Sequence, residues 1–117
     1  MNQRTIGAKH ENVAAEYLKK EGYTILERNY RCRYGEIDLI AKKGNLLVIV
    51  EVKYRSKGSC GDPTEAVDGY KQKKICRVTL DYLMRNPYFH GKQCRFDVIA
   101  IYGNGKVRHI KNAFCYQ

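Results

Sequence analysis

The sequence predicts an α/β or α+β sandwich: a three-strand meander whose faces are covered by two helices, with two more strands after the second helix. Three observations predict it. A helix-periodic segment near the start gives way to apolar runs of strand length, a second helix-periodic segment fills the middle, and "CRFDVIAIY" follows as a continuous apolar run ending at Gly103-Asn104-Gly105. No repeat, low-complexity tract or Ser/Pro-rich linker interrupts the 117 residues, so residues 1–117 are expected to form a single domain. A chain of this length buries roughly two thirds of its unfolded surface and needs no disulfide or structural metal to fold.

From about residue 5 to 21, Ile6, Val13, Ala14, Tyr17 and Leu18 recur at helical spacing while Glu16, Lys19 and Lys20 point away, and Gly22 follows as a stop. "YTILERNY", 23–30, reads as a strand, and two stronger strands occupy 35–42 and 46–54 on either side of Gly44-Asn45. In "GDPTEAV", Asp62 can cap a helix, Pro63 suits its first position and Glu65 stands where a capping-box carboxylate belongs. The spacing predicts a helix from 63 to about 85, with Val67, Tyr70 or Lys71, Ile75, Val78 and Tyr82 as its buried stripe and Asn86-Pro87 as its end. Strands at 94–102 and in "KVRHI" complete the chain.

Lys and Arg total 22 against 12 Asp and Glu, a formal charge of +10 that favours polyanion partners, nucleic acid first. No basic amphipathic helix with bulky apolar anchors stands out, so a membrane surface is not expected as partner. "MNQRTIGAKHEN" lacks a signal peptide's apolar core and "LLVIV" is too short to span a bilayer, so the expected location is cytoplasmic. The five cysteines form no CxxC and are odd in number, which argues against zinc and against a disulfide framework. No serine triad or phosphate-cradling glycine loop is present.

Carboxylates stand at the ends of the two central strands, and buried carboxylates are costly unless paired, hydrogen-bonded or metal-bound. If Gly44-Asn45 closes a two-residue hairpin, Asp38 lies opposite Glu51, Glu36 opposite Lys53 and Ile40 opposite Ile49, all on one face. Ile37, Leu39, Ala41, Val48, Val50 and Val52 then share the other face. Facing carboxylates about 5.5 Å apart at the backbone destabilise a sheet unless a cation lies between them. Oxygen donors of this kind suit a hard ion, Mg²⁺ or Mn²⁺, with Lys53 adding positive charge nearby. Glu11 falls at the edge of the first helix's buried stripe and can point toward such a site, whereas Glu16 should meet water. A sheet-end ion pair among Glu36, Lys53 and Arg55 accounts for Lys53 but poorly for Asp38.

"EID", twelve residues and then "EVK" resembles the PD-(D/E)xK nuclease signature, with Ile37 where the first motif usually has proline. Over nearly the whole chain, "GAKHENVAAEYLKKEGYTILERNYRCRYGEIDLIA", "LLVIVEVKYRS", "GDPTEAV" and "RFDVIAIY" together resemble the YraN family of small bacterial predicted nucleases, similar in turn to archaeal Holliday junction resolvases. The resemblance implies an α/β, restriction-endonuclease-like mixed sheet flanked by helices in the order α-β-β-β-α-β-β. It implies Glu11, Asp38, Glu51 and Lys53 as catalytic residues, and Asp38, Glu51, Glu11 and the Val52 carbonyl as metal ligands. The implied activity is metal-dependent endonucleolytic hydrolysis of phosphodiester bonds, on structured or branched DNA in preference to RNA, and the resolvase likeness implies a homodimer. The alternative is a nucleic-acid-binding accessory protein that keeps the fold and cuts nothing.

Arg31, Arg33, Arg55 and Lys57 flank the site strands, and Lys71, Lys73, Lys74 and Arg77 cluster on the second helix. Facing one groove, they would contact phosphates without reading sequence. Lys71, nearest the buried stripe, can reach back toward the site. Asp97 shares a strand face with Arg95, which predicts a local ion pair. Tyr30, Tyr34 and Tyr54 can stack on unpaired bases or close a core edge.

Overall fold

The computed structural model describes residues 3–56 and 67–115, with side chains from Lys9 onward. Helix α1 (Gln3–Lys20) leads into β1 (Thr24–Cys32), β2 (Gly35–Lys43) and β3 (Leu46–Arg55); α2 (Gly69–Arg85) crosses to β4 (Cys94–Tyr102), and β5 (Val107–Phe114) returns. The five strands lie in chain order in one sheet. The β3–β4 pair is parallel and the other three pairs are antiparallel, as a crossover through a helix requires. The chain is therefore the α/β mixed sheet flanked by helices, in the element order expected.

The helices cover opposite faces. Ala14, Ala15 and Leu18 of α1 pack on Leu39, Ala41, Val48, Val50, Ile99 and Ile101. The two alanines let the helix backbone approach the branched strand residues closely. Val13, expected in this stripe, is 38% exposed, and Ala15 takes its place. Ile75, Val78 and Tyr82 of α2 pack on Ile37, Ile40, Ile49, Phe96 and Val98.

Helix α2 starts later than its spacing predicts. Asp62, Pro63 and Glu65 lie outside the described residues, but Val67 and Asp68 are not helical. Asp68 has extended backbone and its carboxylate accepts the Lys71 N–H at 2.9 Å, satisfying an amide that the first turn leaves without a helical partner. Tyr70 is consequently 74% exposed, and Lys71 is the residue that turns inward. At the other end of the sheet, β5 runs past "KVRHI" to Phe114: its register against β4 shifts between Phe96 and Val98, where Asn112 adopts φ +55°. Cys32, Cys94 and Cys115 are free thiols.

Candidate active site

The hairpin register is the expected one from the turn up to Leu39↔Val50, with Ile40↔Ile49 and Ala41↔Val48 between them. There the ladder stops. Beyond it β2 remains paired with β1 (Ile37↔Tyr30, Glu36↔Arg31), while β3 remains paired with β4 from Glu51↔Val98 to Arg55↔Tyr102. The two central strands thus diverge like a fork, and Asp38 stands in its mouth. Its Oδ2 accepts the Val52 N–H at 2.8 Å, so a side chain takes the amide that the ladder has released.

This fork corrects two expectations. Asp38 and Glu51, and Glu36 and Lys53, are not ladder partners, because the strands have parted before reaching them. Ile37 does not share the α1 face with Leu39; freed from β3, it joins the cluster beneath α2, while Val52 packs toward α1. Like charges set directly opposite one another are unfavourable in an unbroken ladder, and divergence relieves them.

Asp38 and Glu51 nevertheless face one cleft of about 270 Å³, bounded by Gly35, Glu36, Lys71, Lys74, Ile75 and Val78. Gly35 has φ +146°, a backbone conformation that other residues rarely adopt, so glycine suits the start of β2 beneath α2. Glu11 comes from α1. One carboxylate oxygen from each of Glu11, Glu36 and Asp38 lies within 4.8 Å of the others. His10 stacks on Tyr54, with ring centroids 4.2 Å apart and planes 7° from parallel, which clasps the start of α1 to the end of β3. Glu16 points outward to water, as expected, and pairs there with Lys19.

Glu51 is only 8% exposed, and its charge is answered by ammonium groups: Lys71 Nζ at 2.8 Å and Lys53 Nζ at 3.6 Å. Burial, the Glu51 charge, and then Glu11 and Glu36 push the Asp38 carboxyl up to about 7, against the opposing pull of the Val52 N–H. Burial and the neighbouring Lys71 lower the Lys53 ammonium. Burial would lower Lys71 too, but its bonds to Glu51 and Lys53 and the charges of Glu51 and Asp38 together outweigh that and raise it. Negative charge therefore accumulates on the Glu11–Glu36–Asp38 side of the cleft and positive charge on the Glu51 side.

The donor set fits a hard divalent cation. Oxygens bound to one Mg²⁺ stand roughly 3 Å apart when adjacent and roughly 4 Å apart when opposite, given metal–oxygen distances near 2.1 Å. Oxygens within 4.8 Å reach that range by small side-chain rotations. Among the described residues, the grouped ligands are Glu11, Glu36 and Asp38; Glu51 stands one step back, held by lysines. Glu36 is the member of this carboxylate group that the sequence reading placed in an ion pair instead. Its position two residues before Asp38 on the same strand was the available signal.

The basic residues divide. Lys74 lines the carboxylate cleft and, with Arg31 and Arg33, a second depression that shares Gly35 and Glu36 with it. Arg77 lines the continuation of this surface between the β1–β2 turn and α2. Arg31 also pairs with Glu36 at 3.2 Å. Lys73 is exposed on α2, Arg55 reaches the carbonyl of Tyr54, and Lys57 lies outside the described residues.

The expected Arg95–Asp97 pair is present as part of a larger network. Asp97 is fully buried and receives both Arg95 Nε and Nη2, at 2.8 and 2.7 Å. His109 Nε2 lies 2.6 Å from Asp97 Oδ2, and the Asn112 N–H donates to Oδ1 at 3.0 Å. His109 Nδ1 meets the Tyr17 hydroxyl and Arg95 reaches Tyr23, which ties α1 to the sheet on the face away from the cleft.

Comparison with known proteins gives a family and no activity. A model described as "Uncharacterised protein family UPF0102" matches residues 10–101. A UPF0102 protein of Caldanaerobacter subterraneus subsp. tengcongensis is 47% identical over 120 residues, covering 97% of this chain and 98% of its own. One from Lachnoclostridium phytofermentans is 46% identical, covering 97% and 96%. Among solved structures, Pyrococcus furiosus SfsA in complex with Ca²⁺ overlays at a TM-score of 0.32 and 12% identity, covering 92% of this chain and 63% of that one, too loosely to bear on the site.

Proposed function

The chain belongs to the uncharacterised protein family UPF0102, the YraN-like family of the sequence resemblance, and for it we propose metal-dependent hydrolysis of phosphodiester bonds in nucleic acid, structured or branched DNA above all. One observation carries the reading. Carboxylates from α1 and β2 converge at a fork in the sheet, beside two lysines and at the head of a basic groove.

A Mg²⁺ or Mn²⁺ ion held by Asp38, Glu11 and Glu36 would polarise a phosphoryl oxygen and acidify a water. The chain's own groups supply the rest. Lys74 and Arg31 can engage phosphates flanking the scissile bond, since they line the depression that continues the cleft. Lys53 is held 3.6 Å from Glu51 with its ammonium lowered, so it can orient a water or surrender a proton more readily than a solvated lysine. Glu51 keeps Lys53 and Lys71 at the cleft wall, where they offset charge developing on phosphate. The apolar residues Ile75 and Val78 restrict water on the α2 side.

A second reading, a binding protein that cuts nothing, draws on a specific feature: Glu51 is already neutralised by Lys71 at 2.8 Å. One assay separates the two. Purified protein is incubated with branched, single-stranded and duplex substrates in Mg²⁺, Mn²⁺ or chelator, beside Asp38→Ala and Lys53→Ala. Metal-dependent cleavage, lost in both variants while binding persists, supports the nuclease. Wild-type protein that binds every substrate and cleaves none supports the accessory reading.

A further inference from the structure

Beyond the carboxylate cleft, the groove widens to about 910 Å³ between the β1–β2 turn and the last turns of α2. Its lining mixes two chemistries. Arg31, Arg33 and Arg77 supply cations on both walls, while Leu80 and Met84 expose 47% and 78% of their surface. The Arg33 guanidinium lies 4.8 Å from the centre of the Tyr34 ring and donates to its hydroxyl at 2.7 Å, so a flat cation and a flat ring form one platform. Asp81, the acidic residue of this lining, is engaged by Tyr30 at 2.5 Å and Arg85 at 3.1 Å.

The arginines suit a polyanion, but Leu80, Met84 and Tyr34 need an apolar partner. A continuous duplex offers phosphates and groove edges; its flat base faces are hidden in the stack. An unpaired nucleotide offers both a phosphate and a bare base face. We propose that this groove seats an unpaired strand segment next to the scissile phosphate, with base faces on Tyr34–Arg33 and on Leu80–Met84 and phosphates on Arg31 and Arg77. The substrate class is then nucleic acid with a single-stranded segment, such as an overhang or an opened junction. This rests on the reading of the carboxylate cleft as the cutting site only for where the cut falls, because the groove's binding is measurable without cutting.

The test is binding in chelator, followed by fluorescence anisotropy with blunt duplex, the same duplex carrying an overhang, and single strand. 2-Aminopurine in the overhang reports stacking. Wild type should favour the overhang over blunt duplex by at least about fivefold, the equivalent of one base stack, with 2-aminopurine quenched. Arg33→Ala and Met84→Glu, both at exposed positions, should each reduce that preference. The preference is read in chelator, without cutting, so a failed nuclease reading leaves this result standing. Equal affinity for blunt and overhanging duplex, or unchanged 2-aminopurine emission, overturns the proposal. So does concentration-dependent self-association abolished by Met84→Glu, which would assign the apolar wall to a second copy of the chain.

Discussion

Replacing Asp38 by Asn should make the metal-free protein more stable above neutral pH and leave it unchanged in acid. The Asp38 carboxyl is pushed from its ordinary 3.8 to about 7, chiefly by burial and then by Glu51. Across that interval the native state holds a proton that the unfolded chain has released. Stability is therefore complete below pH 3.8, declines as pH rises, and reaches its full deficit above 7. At 1.36 kcal/mol per unit, a shift of this size amounts to ~4 kcal/mol, a large share of the ~5–15 kcal/mol that stabilises a domain. Asparagine keeps an oxygen to accept the Val52 N–H and carries no charge, so it escapes the deficit. Urea unfolding of wild type and Asp38→Asn in chelator at pH 5, 6, 7 and 8 measures it. The difference should grow steadily with pH and level off near 8. A difference that stays flat across the series, or shrinks, would refute the reasoning.

Other perturbations give separate readings. Lys71→Met removes the ammonium 2.8 Å from Glu51; with Lys71 partly exposed, the stability lost should be about 1 kcal/mol or less, while calorimetric Mn²⁺ affinity should hold or rise as Glu51 becomes free to join the ion. Asp97→Asn leaves Arg95 and His109 facing a neutral group in a buried network and should cost about 3–5 kcal/mol in denaturant unfolding, with Mn²⁺ affinity at the carboxylate cleft little changed. The wild-type Asp97 carboxyl is held below its ordinary value because His109, Arg95 and the Asn112 N–H outweigh its burial. Its contribution is thus present above pH 3.8 and is lost only as pH falls below that. Arg77→Ala should lower the magnitude of the log-affinity against log-salt slope by about 1 and weaken binding to all sequences alike.

Much of this site was legible in the sequence because its parts follow local rules. Gly44-Asn45 set the hairpin register as far as Leu39 and Val50, since a two-residue turn leaves no slack. Glu11 was placed by its angle on α1, and Lys71 by its closeness to the buried stripe of α2. The fork was not legible. Strict alternation assumes an unbroken ladder, and here the ladder yields where two carboxylates would face each other and a side chain accepts the Val52 N–H instead. The same break moved Ile37 to the other face. The start of α2 was missed because the helical spacing runs on through Val67 and gives no mark of Asp68, whose carboxylate caps the helix at the Lys71 N–H. His109 and Asp97 are joined by the irregular β4–β5 register, which leaves no periodic trace.

The measurement that bears most directly on the central claim is Mn²⁺ binding, followed by calorimetry and by the spin signal of the free ion, in wild type, Glu11→Gln, Glu36→Gln and Asp38→Asn. Wild type should take up the ion saturably, Asp38→Asn should lose that uptake, and each glutamate variant should weaken it. Uptake that is absent in wild type, or equal in wild type and Asp38→Asn, would contradict the account.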